Sequence, residues 1–242
     1  MVKEELIQRS PVRVFMNSIH GGLKPGELGL VASPSGIGKT SVLVQIALDK
    51  LLQDKKVIHI SFTKHTDYVL AWYENIFDEF IKKKNLENEQ DVKNDIVKNR
   101  VLMKFAQGGI TNEQIVRSLR ALIKDGGFNA DVVIVDGYDF SAAEKEHLSA
   151  IKSFAGEMGL SAWYSCNINS SEPLPDQQKT HGLIKSIAAF FEVVIELEPK
   201  KDHIALTVSR DRDGAASAEA RDSSPVHLAL KLDPRTLMIL EN

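Results

Sequence analysis

The residues with the clearest chemical potential in this chain are 33–41, which read SPSGIGKTS. Their spacing matches the phosphate-binding pattern G-x-x-x-x-G-K-[ST], except that Ser33 stands where the first glycine is expected. Small residues let successive backbone N–H groups turn inward around a polyphosphate, and Lys39 adds a mobile positive charge. The Thr40 hydroxyl can join the shell of a magnesium ion. The candidate binding residues are Ser33, Pro34, Ser35, Gly36, Ile37, Gly38, Lys39, Thr40 and Ser41.

The flanking segments are those that a phosphate-binding loop requires. Residues 28–32 form a short apolar run, which predicts a buried strand ending at the loop. Residues 41–52 carry apolar side chains at helical spacing, which predicts a helix whose positive dipole end faces the same anion. An ordinary strand–turn–helix corner that contains Gly-Lys-Thr by chance remains the alternative. Ser33 suits the loop if its φ is negative and is strained if its φ must be positive.

A candidate partner for the magnesium ion follows a second apolar run. Asp136 comes directly after residues 132–135, a fully apolar segment that predicts a central strand. An acid at the tip of a neighbouring strand can hold the water shell of a magnesium ion beside a phosphate loop. We therefore assign Asp136 and Thr40 to the metal, partly through water. The alternative is a strand-terminal aspartate that simply starts a turn at Gly137.

The rest of the chain alternates predicted strands with predicted helices and then continues as strands. The predicted strands are 57–62, 101–105, 161–165, 191–197, 204–209, 226–232 and 237–240, and the predicted helices are 67–84, 111–124, 143–158 and 184–190. Pro11 predicts a break in a weakly helical start, and the polar residues 85–99 predict an exposed insertion. The order favours one α/β domain over residues 1–242, with a mostly parallel twisted sheet flanked by helices and extended by C-terminal antiparallel strands.

Composition narrows the class of protein further. A net charge of −3 and a pI near 6.2 give no general reason to seek nucleic acid or an anionic membrane. The single cysteine, Cys166, excludes an internal disulfide and a cysteine-rich metal site. No apolar run resembles a signal peptide or a membrane span, so we expect a cytoplasmic protein. The aromatic residues Trp72, Tyr73, Phe77 and Phe80 recur at helical spacing and predict a core stripe rather than a ligand platform.

These motifs together resemble the RecA-type P-loop ATPase core, closest to the branch that contains KaiC and the C-terminal domain of the DnaB helicase. Residues 21–28, GGLKPGEL, match the turn GGL-x-PGEL that leads into the first strand of that family. Residues 33–41 match its P-loop, and residues 131–136 match its Walker B strand. The resemblance implies a RecA-like fold, ATP and Mg²⁺ as cofactors, and a homo-oligomer that can be a ring.

The resemblance also singles out two arginines. Residues 210–214, RDRDG, are similar to the K-x-R-x-G ending of a late strand, where two basic side chains reach the nucleotide of a neighbouring subunit. Arg210 and Arg212 are thus candidate catalytic residues that act in trans. Being two apart, both would leave a strand on one face and could grip a terminal phosphate. The alternative is a solvated strand end whose arginines pair locally with Asp211 or Asp213.

Two departures from the family pattern concern hydrolysis. Relatives carry a glutamate base after the second strand, in a phrase such as S-L-E, and Thr63 stands at that position here. A threonine hydroxyl is far too weak a base at neutral pH to replace a carboxylate. His65 and Asp67 lie close by in sequence but read more simply as helix N-terminal residues. Helicase relatives carry glutamine where this chain has Cys166. We therefore predict ATP binding with weak or absent hydrolysis, and whether the chain is an enzyme stays open.

Three functions follow from these observations. The first is a KaiC-like ATP-binding protein that works as a nucleotide-dependent oligomeric or regulatory protein, with an unknown protein partner. The second is an active DnaB-like ATPase motor on single-stranded DNA. The loops that would face DNA, 137–147 and 169–182, carry one lysine against three acids and one lysine against two acids, and phosphate contacts need cations. The third is a scaffold that binds no nucleotide, although Lys39, Thr40 and Asp136 argue against it.

Overall fold

The structure is a computed structural model. It describes residues 11–62, 66–82, 89–106, 108–140, 145–168, 182–212 and 230–240.

A sheet of eight strands organises the described residues. The strands are β1 (Leu28–Ser33), β2 (Val57–Ser61), β3 (Arg100–Lys104), β4 (Val132–Asp136), β5 (Ser161–Asn167), β6 (Val193–Pro199), β7 (Ile204–Arg210) and β8 (Leu230–Leu232). Their order across the sheet is β3-β2-β4-β5-β1-β6-β7-β8. The first six strands of this order pair in parallel, whereas β6–β7 and β7–β8 pair antiparallel. The predicted parallel sheet with an antiparallel extension is confirmed.

Helices cover both faces of this sheet. They are α1 (Pro11–Ser18), α2 (Lys39–Leu52), α3 (Thr66–Lys82), α4 (Glu89–Lys98), α5 (Asn112–Arg120), α6 (Lys145–Met158) and α7 (Gly182–Ile187). A π-helical turn (Ala121–Asp125) continues α5, and a 3-10 turn (Ala188–Phe190) continues α7. Helices α1 to α4 bury their apolar side chains in one core layer, and α5 to α7 bury theirs in the other. The architecture is therefore a layered α/β fold.

The sequence patterns explain why the central elements form. Every residue of β1 and of β4 is buried, as continuous apolar runs require in a parallel sheet covered on both sides. Helix α5 begins with a capping box at Thr111. The Gln114 backbone N–H donates to Thr111 Oγ1 at 3.2 Å, and the Thr111 N–H donates to Gln114 Oε1 at 2.8 Å. Both ends of that interaction remove donors that the helix itself cannot satisfy.

Helix α1 begins at Pro11, a position that suits proline because the N–H that it lacks would have no partner in the first helical turn. The residues before Pro11, where the weakly helical start was predicted, lie outside the described part. Most side chains of residues 89–98 are exposed, as predicted, but the segment forms the helix α4, with Val92 and Ile96 buried in the core layer that also holds α2. Two apolar residues one turn apart are enough to bury one helix face, although the segment is polar overall. Residues 85–88 lie outside the described part.

The C-terminal end also differs from expectation. Residues 237–240 form an isolated bridge between Leu232 and Ile239 and not a strand. A turn lies between Leu232 and Ile239, and Asp233 Oδ1 accepts the N–H of Arg235 at 2.7 Å. The turn brings Ile239 back beside Leu232 of β8, the last strand of the sheet. Of the strand predicted over 226–232, the structure describes only the part that forms β8.

Candidate functional site

The loop between β1 and α2 contains two glycines in the left-handed region of backbone space. Gly36 has φ +82° and Gly38, the N-cap residue of α2, has φ +111°. L side chains rarely adopt such angles, so these positions favour glycine. Ser33 is not among the residues with positive φ, and its side chain is buried at the end of β1. The position therefore does not require glycine, which removes the steric objection to serine at the start of the loop.

The Lys39 ammonium lies inside this loop. Its Nζ donates to the Ser33 carbonyl at 2.9 Å, to Ser33 Oγ at 3.2 Å and to the Pro34 carbonyl at 2.8 Å. Among the described residues, no carboxylate lies within 4.0 Å of Nζ. Burial lowers the pKa of Lys39 to about 8, and the nearby charge of Asp136 only partly opposes this effect. The loop thus holds a desolvated cation whose charge is not neutralised by direct contact.

Asp136 is distant from the loop in sequence but contacts it in the fold. The Thr40 hydroxyl donates to Asp136 Oδ2 at 2.8 Å, across 96 residues of chain. Ser165 Oγ donates to Asp136 Oδ1 at 2.7 Å and accepts the N–H of Gly137 at 2.7 Å. The structure therefore brings together the two residues assigned to the metal, and both carboxylate oxygens accept a hydrogen bond. Ser165 was not predicted as a site residue, although its place near the end of the next strand was a usable signal.

A cavity of about 300 Å³ opens in front of these groups. Seven of the predicted residues line it: Ser35, Gly36, Gly38, Lys39, Thr40, Ser41 and Asp136. Of the other predicted binding residues, Ser33 and Pro34 hold the Lys39 ammonium, and Ile37 packs against the core. The lining residues that the sequence patterns did not indicate are Tyr68, Trp72, Gly137, Ser165, Asn167 and Leu237.

Leu237 reaches the cavity because α2 carries a buried polar pair. The Leu237 carbonyl accepts hydrogen bonds from Ser41 Oγ at 2.8 Å and from Gln45 Nε2 at 2.9 Å. Gln45 Oε1 in turn accepts the N–H of Ile239 at 2.9 Å. Leu237 has φ +55°, and a Cβ placed on Gly38 would lie 3.4 Å from its side chain. The C-terminal turn is thereby fixed to the first turns of α2, far away in sequence.

Two aromatic residues of α3 form another wall. The rings of Tyr68 and Trp72 lie edge to face, with centroids 6.0 Å apart and an interplanar angle of 86°. Tyr73, Phe77 and Phe80 are buried, so the core prediction is confirmed for them. Trp72 is only half-buried and lines the cavity, so the core prediction does not describe it fully. Helical spacing alone cannot show which residue of the stripe lines a cavity, as Trp72 does.

The two candidate arginines lie away from the cavity. Strand β7 ends at Arg210, so the alternation expected to place both side chains on one face does not extend to Arg212. Arg212 Nε donates to Glu27 Oε1 at 2.7 Å, its Nη2 donates to Glu27 Oε2, and Nη2 also donates to the Gly22 carbonyl at 2.7 Å. Arg210 is half-buried at the end of its strand. The trans role of both stays a prediction, and for Arg212 it would require the contact with Glu27 to open.

The contact with Glu27 is a closed charge pair. Both side chains are largely buried, at 15% and 17% exposed. Burial raises the pKa of Glu27, but hydrogen bonds from Arg212 and from the Lys24 N–H outweigh this effect and hold the pKa below its usual value. The family-like turn at residues 21–26 is therefore connected to the end of β7. This pairing was not predicted, because the expected local partners were Asp211 and Asp213. The local pairing is present for Asp211, whose Oδ1 lies 3.8 Å from Arg212 Nη1, but Glu27 makes the closer contacts.

Several predicted positions lie outside the described residues. These are Thr63, His65 and Asp213, residues 141–144 of the loop 137–147, and residues 169–181 of the loop 169–182. Asp67 is exposed in the first turn of α3. No cluster of three or more His, Cys, Asp and Glu exists among the described residues. The donor set of Asp136 and Thr40 suits magnesium, which keeps several waters and needs few protein ligands.

The fold defines the class: an α/β protein with a mostly parallel eight-stranded sheet and helices on both faces. No family model matches the chain, and no curated protein matches it. Within the described ranges, no helix has both the length and the apolar character needed to cross a membrane.

Proposed function

We propose that this chain is a RecA-type P-loop protein of the KaiC and DnaB branch, and that it binds Mg-ATP and hydrolyses it slowly or not at all. The observation that carries this proposal is the Lys39 ammonium buried in a glycine loop next to the Thr40–Asp136 pair. A phosphate binder needs a cation, inward backbone N–H groups and a metal-binding oxygen pair at one place.

The electrostatics of Lys39 favour an anion over a neutral ligand. Desolvation lowers the pKa of the ammonium, and its contacts are uncharged loop oxygens. A polyphosphate oxygen would supply the negative charge that the loop does not. Charge-assisted hydrogen bonds of this kind are roughly twice as strong as neutral ones. Lys39 would thus exchange its contacts with the Ser33 and Pro34 carbonyls for contacts with the ligand.

The metal would be held by few protein groups. Thr40 Oγ1 and Asp136 Oδ2 already lie 2.8 Å apart, and the Asp136 carboxylate is oriented by Ser165. Thr40 and Asp136 would hold magnesium there, and the ion would supply positive charge beside the phosphates. The role of this chain's residues is to orient that ion and to exclude other water from the cavity.

The same cavity offers little for hydrolysis. Asp136 is the only carboxylate among the described lining residues, and both of its oxygens accept hydrogen bonds from hydroxyl groups. A general base must lie within hydrogen-bond reach of the attacking water and accept its proton. Thr63 supplies no carboxylate at the position where relatives carry their base. Binding without rapid turnover suits a protein whose nucleotide acts as a switch or as a structural element of an oligomer.

The experiment combines nucleotide titration, turnover and native mass measurement on the full chain, with Mg-ATP and with ATP plus EDTA. We expect stoichiometric Mg-ATP binding, a turnover far below that of a motor ATPase, and a mass that depends on the nucleotide. Lys39→Ala is the control and should remove the binding. Absence of binding by the unaltered chain would contradict the proposal, and robust turnover would contradict its second half.

The motor alternative has its own test. A labelled single-stranded oligonucleotide is titrated with the chain at several salt concentrations, with and without ATP. ATP-dependent binding that weakens steeply with salt would favour a motor on DNA. We expect no such binding, because the loops assigned to DNA contact carry more acids than lysines.

A further inference from the structure

Ser33, the residue that departs from the glycine-loop pattern, contacts the Lys39 ammonium through its side chain. Lys39 Nζ donates to Ser33 Oγ at 3.2 Å, in addition to its bonds with the Ser33 and Pro34 carbonyls. An ammonium group has three N–H donors, so these three acceptors use all of them. A glycine at position 33 would offer only its carbonyl. The serine hydroxyl is therefore the acceptor that completes the set in this chain.

Two further hydrogen bonds fix the position of this hydroxyl. Ser33 Oγ donates its own hydrogen to the Pro34 carbonyl at 2.9 Å, which leaves its lone pairs for Lys39. The Ser33 backbone is held by the sheet, because Ser33 is the register partner of Asn167 and its carbonyl accepts the N–H of Ile168 at 3.1 Å. The hydroxyl therefore stays beside the ammonium and presents an acceptor to it.

A ligand in the cavity can reach Lys39 but not the Ser33 hydroxyl. Lys39 lines the cavity and is 8% exposed, whereas Ser33 is fully buried and is not a lining residue. The hydroxyl can thus act on a ligand only through Lys39. A phosphate oxygen can accept from Lys39 only when one of the three bonds within the loop is released. The bond to the Ser33 hydroxyl is the longest of the three, so we expect a phosphate to replace it first.

We propose, on the basis of the nucleotide site proposed above, that Ser33 is a positioning residue that holds Lys39 inside the loop of the ligand-free chain. Its hydroxyl occupies the N–H donor that a phosphate oxygen would otherwise accept from. Phosphate binding must break this hydrogen bond, so serine lowers the affinity of the loop below the value that glycine would allow. The nucleotide then fills the site only at a higher concentration, which suits a protein that responds to the nucleotide level.

The test compares the unaltered full chain with Ser33→Ala, which removes the hydroxyl and keeps the Cβ. We expect the affinity for Mg-ATP to rise about tenfold, because the ammonium loses an acceptor in the free chain and a hydrogen bond to a charged group corresponds to about that factor. Inorganic tripolyphosphate with magnesium should gain by the same factor, since the lysine of a phosphate loop contacts the phosphates and not the nucleoside. Calorimetric titration measures both affinities.

Two other variants complete this experiment. Ser33→Gly, which restores the residue of the pattern, should show the same gain as Ser33→Ala. Ser161→Ala is the matched control, because Ser161 is a buried serine of β5 that does not line the cavity. We expect it to leave both affinities unchanged.

Denaturant unfolding without ligand separates a positioning role from a general structural one. The free chain of Ser33→Ala should lose the same tenfold factor that the complex gains, or about 1.4 kcal/mol of unfolding free energy. In a Lys39→Met background, Ser33→Ala should have a much smaller effect, because the ammonium that uses the hydroxyl is absent. A substitution that merely damages the loop would lower stability and affinity together, which would contradict the proposal.

The remaining outcomes also discriminate. Unchanged affinity in Ser33→Ala and Ser33→Gly, with normal binding by the unaltered chain, would overturn the role of Ser33 and leave the nucleotide site intact. If the unaltered chain and both variants bind neither ATP nor tripolyphosphate, the proposed function fails, and the role of Ser33 fails with it. Binding by the two variants alone would contradict the proposed function of this chain and support the restraint of Lys39 by Ser33.

Discussion

The two ends of β1 carry two turns that resemble each other and differ in one respect. At one end, the turn at residues 21–26 provides carbonyl oxygen to Arg212, and Glu27 adds its carboxylate. At the other end, the loop at residues 33–40 provides carbonyl oxygens to Lys39, with no carboxylate of the described chain in direct contact. Both turns contain glycines with positive φ, and both surround a cation.

The difference separates a structural cation, Arg212, from Lys39, the cation that we propose binds phosphate. Glu27 neutralises the charge of Arg212 inside the fold. The Arg212–Glu27 pair therefore connects the end of β7 to the start of β1, and the guanidinium has no unpaired charge to offer a ligand. The charge of Lys39 is desolvated but not neutralised, which favours a mobile anion. Sequence motifs mark both turns equally, and only the placement of one carboxylate tells them apart. The five predictions below concern these two cations and the residues around them, and the largest expected effect comes first.

Lys39→Ala should abolish the function of the loop without harming the fold. We expect the affinity for Mg-ATP to fall at least about 100-fold, because several charge-assisted contacts disappear together. The thermal midpoint without nucleotide should stay constant or rise, since a desolvated ammonium is removed. Calorimetric titration and thermal unfolding measure the two effects. Lys55→Ala is the control, because Lys55 is exposed and its Nζ lies 3.1 Å from Asp131 Oδ1. A large loss of stability in Lys39→Ala would mean that this cation is structural as well.

Arg212→Ala should show the reverse pattern. We expect the free energy of unfolding to fall by about 2–3 kcal/mol, because Glu27 is left partly buried without its partner. ATP affinity should change less than twofold. The folded pKa of Glu27 lies below its usual 4.5, so the stabilisation is complete above pH 4.5 and is lost as the pH falls through the lowered pKa. Denaturant unfolding at several pH values measures this effect.

Arg210→Ala is the comparison for the trans role of the arginines. It should leave stability nearly unchanged, since no ion pair forms at Arg210 among the described residues. If either arginine acts on a neighbour's nucleotide, its variant will lose oligomer-dependent hydrolysis while keeping nucleotide affinity. A stable Arg212→Ala variant would show that the pair with Glu27 is not what holds the turn at residues 21–26.

Asp136→Asn should weaken only the metal-dependent part of binding. We expect about a tenfold loss of affinity for Mg-ATP and almost none for ATP in EDTA, because the carboxylate acts through the ion. The asparagine Oδ1 can still accept from Ser165, and its Nδ2 can donate to the Thr40 hydroxyl oxygen in place of the bond that Thr40 donated, so the loop should keep its shape. Titration with and without magnesium measures the difference. Equal losses in both conditions would show that Asp136 orders the loop instead of serving the metal.

Affinity for ATP should fall as the pH rises above about 8. Below that value, Lys39 is charged in the free chain, and above it the ligand must bind together with a proton. The expected slope approaches one log unit of affinity, or about 1.4 kcal/mol, for each pH unit. Titrations at pH 7, 8 and 9 measure it, and Lys39→Met should remove the slope. A flat profile in the unaltered chain would show that Lys39 keeps its proton in the loop.

Much of the fold was predictable because local patterns and burial agree. The apolar runs of β1 and β4 mark buried parallel strands, and the capping box at Thr111 marks the start of α5. Prediction from composition failed where a few apolar residues decide the packing of a segment that is otherwise polar. Val92 and Ile96 pack α4 against the core, although the segment around them is polar and mostly exposed.

The candidate site was predictable only in the loop at residues 33–41 and at Asp136. The loop residues share a motif, and Asp136 follows a recognisable strand. Tyr68, Trp72 and Leu237 could not be found in this way, because they reach the cavity from segments that carry no chemical pattern of their own. Gln45 shows the physical reason: a buried amide on α2 selects its partners, Leu237 and Ile239, through tertiary hydrogen bonds. Residues that are so far apart in sequence share no periodic pattern from which their contact could be predicted.

The complete burial of Cys166 has a practical consequence for spectroscopy. The thiol is fully buried, and burial raises its pKa to about 12, so it will not react with alkylating dyes while the chain is folded. Because the chain has no other cysteine, a single cysteine introduced at an exposed position such as Val97 becomes a unique attachment point for a fluorophore or spin label. Distances across the molecule can then be followed without first replacing the native thiol.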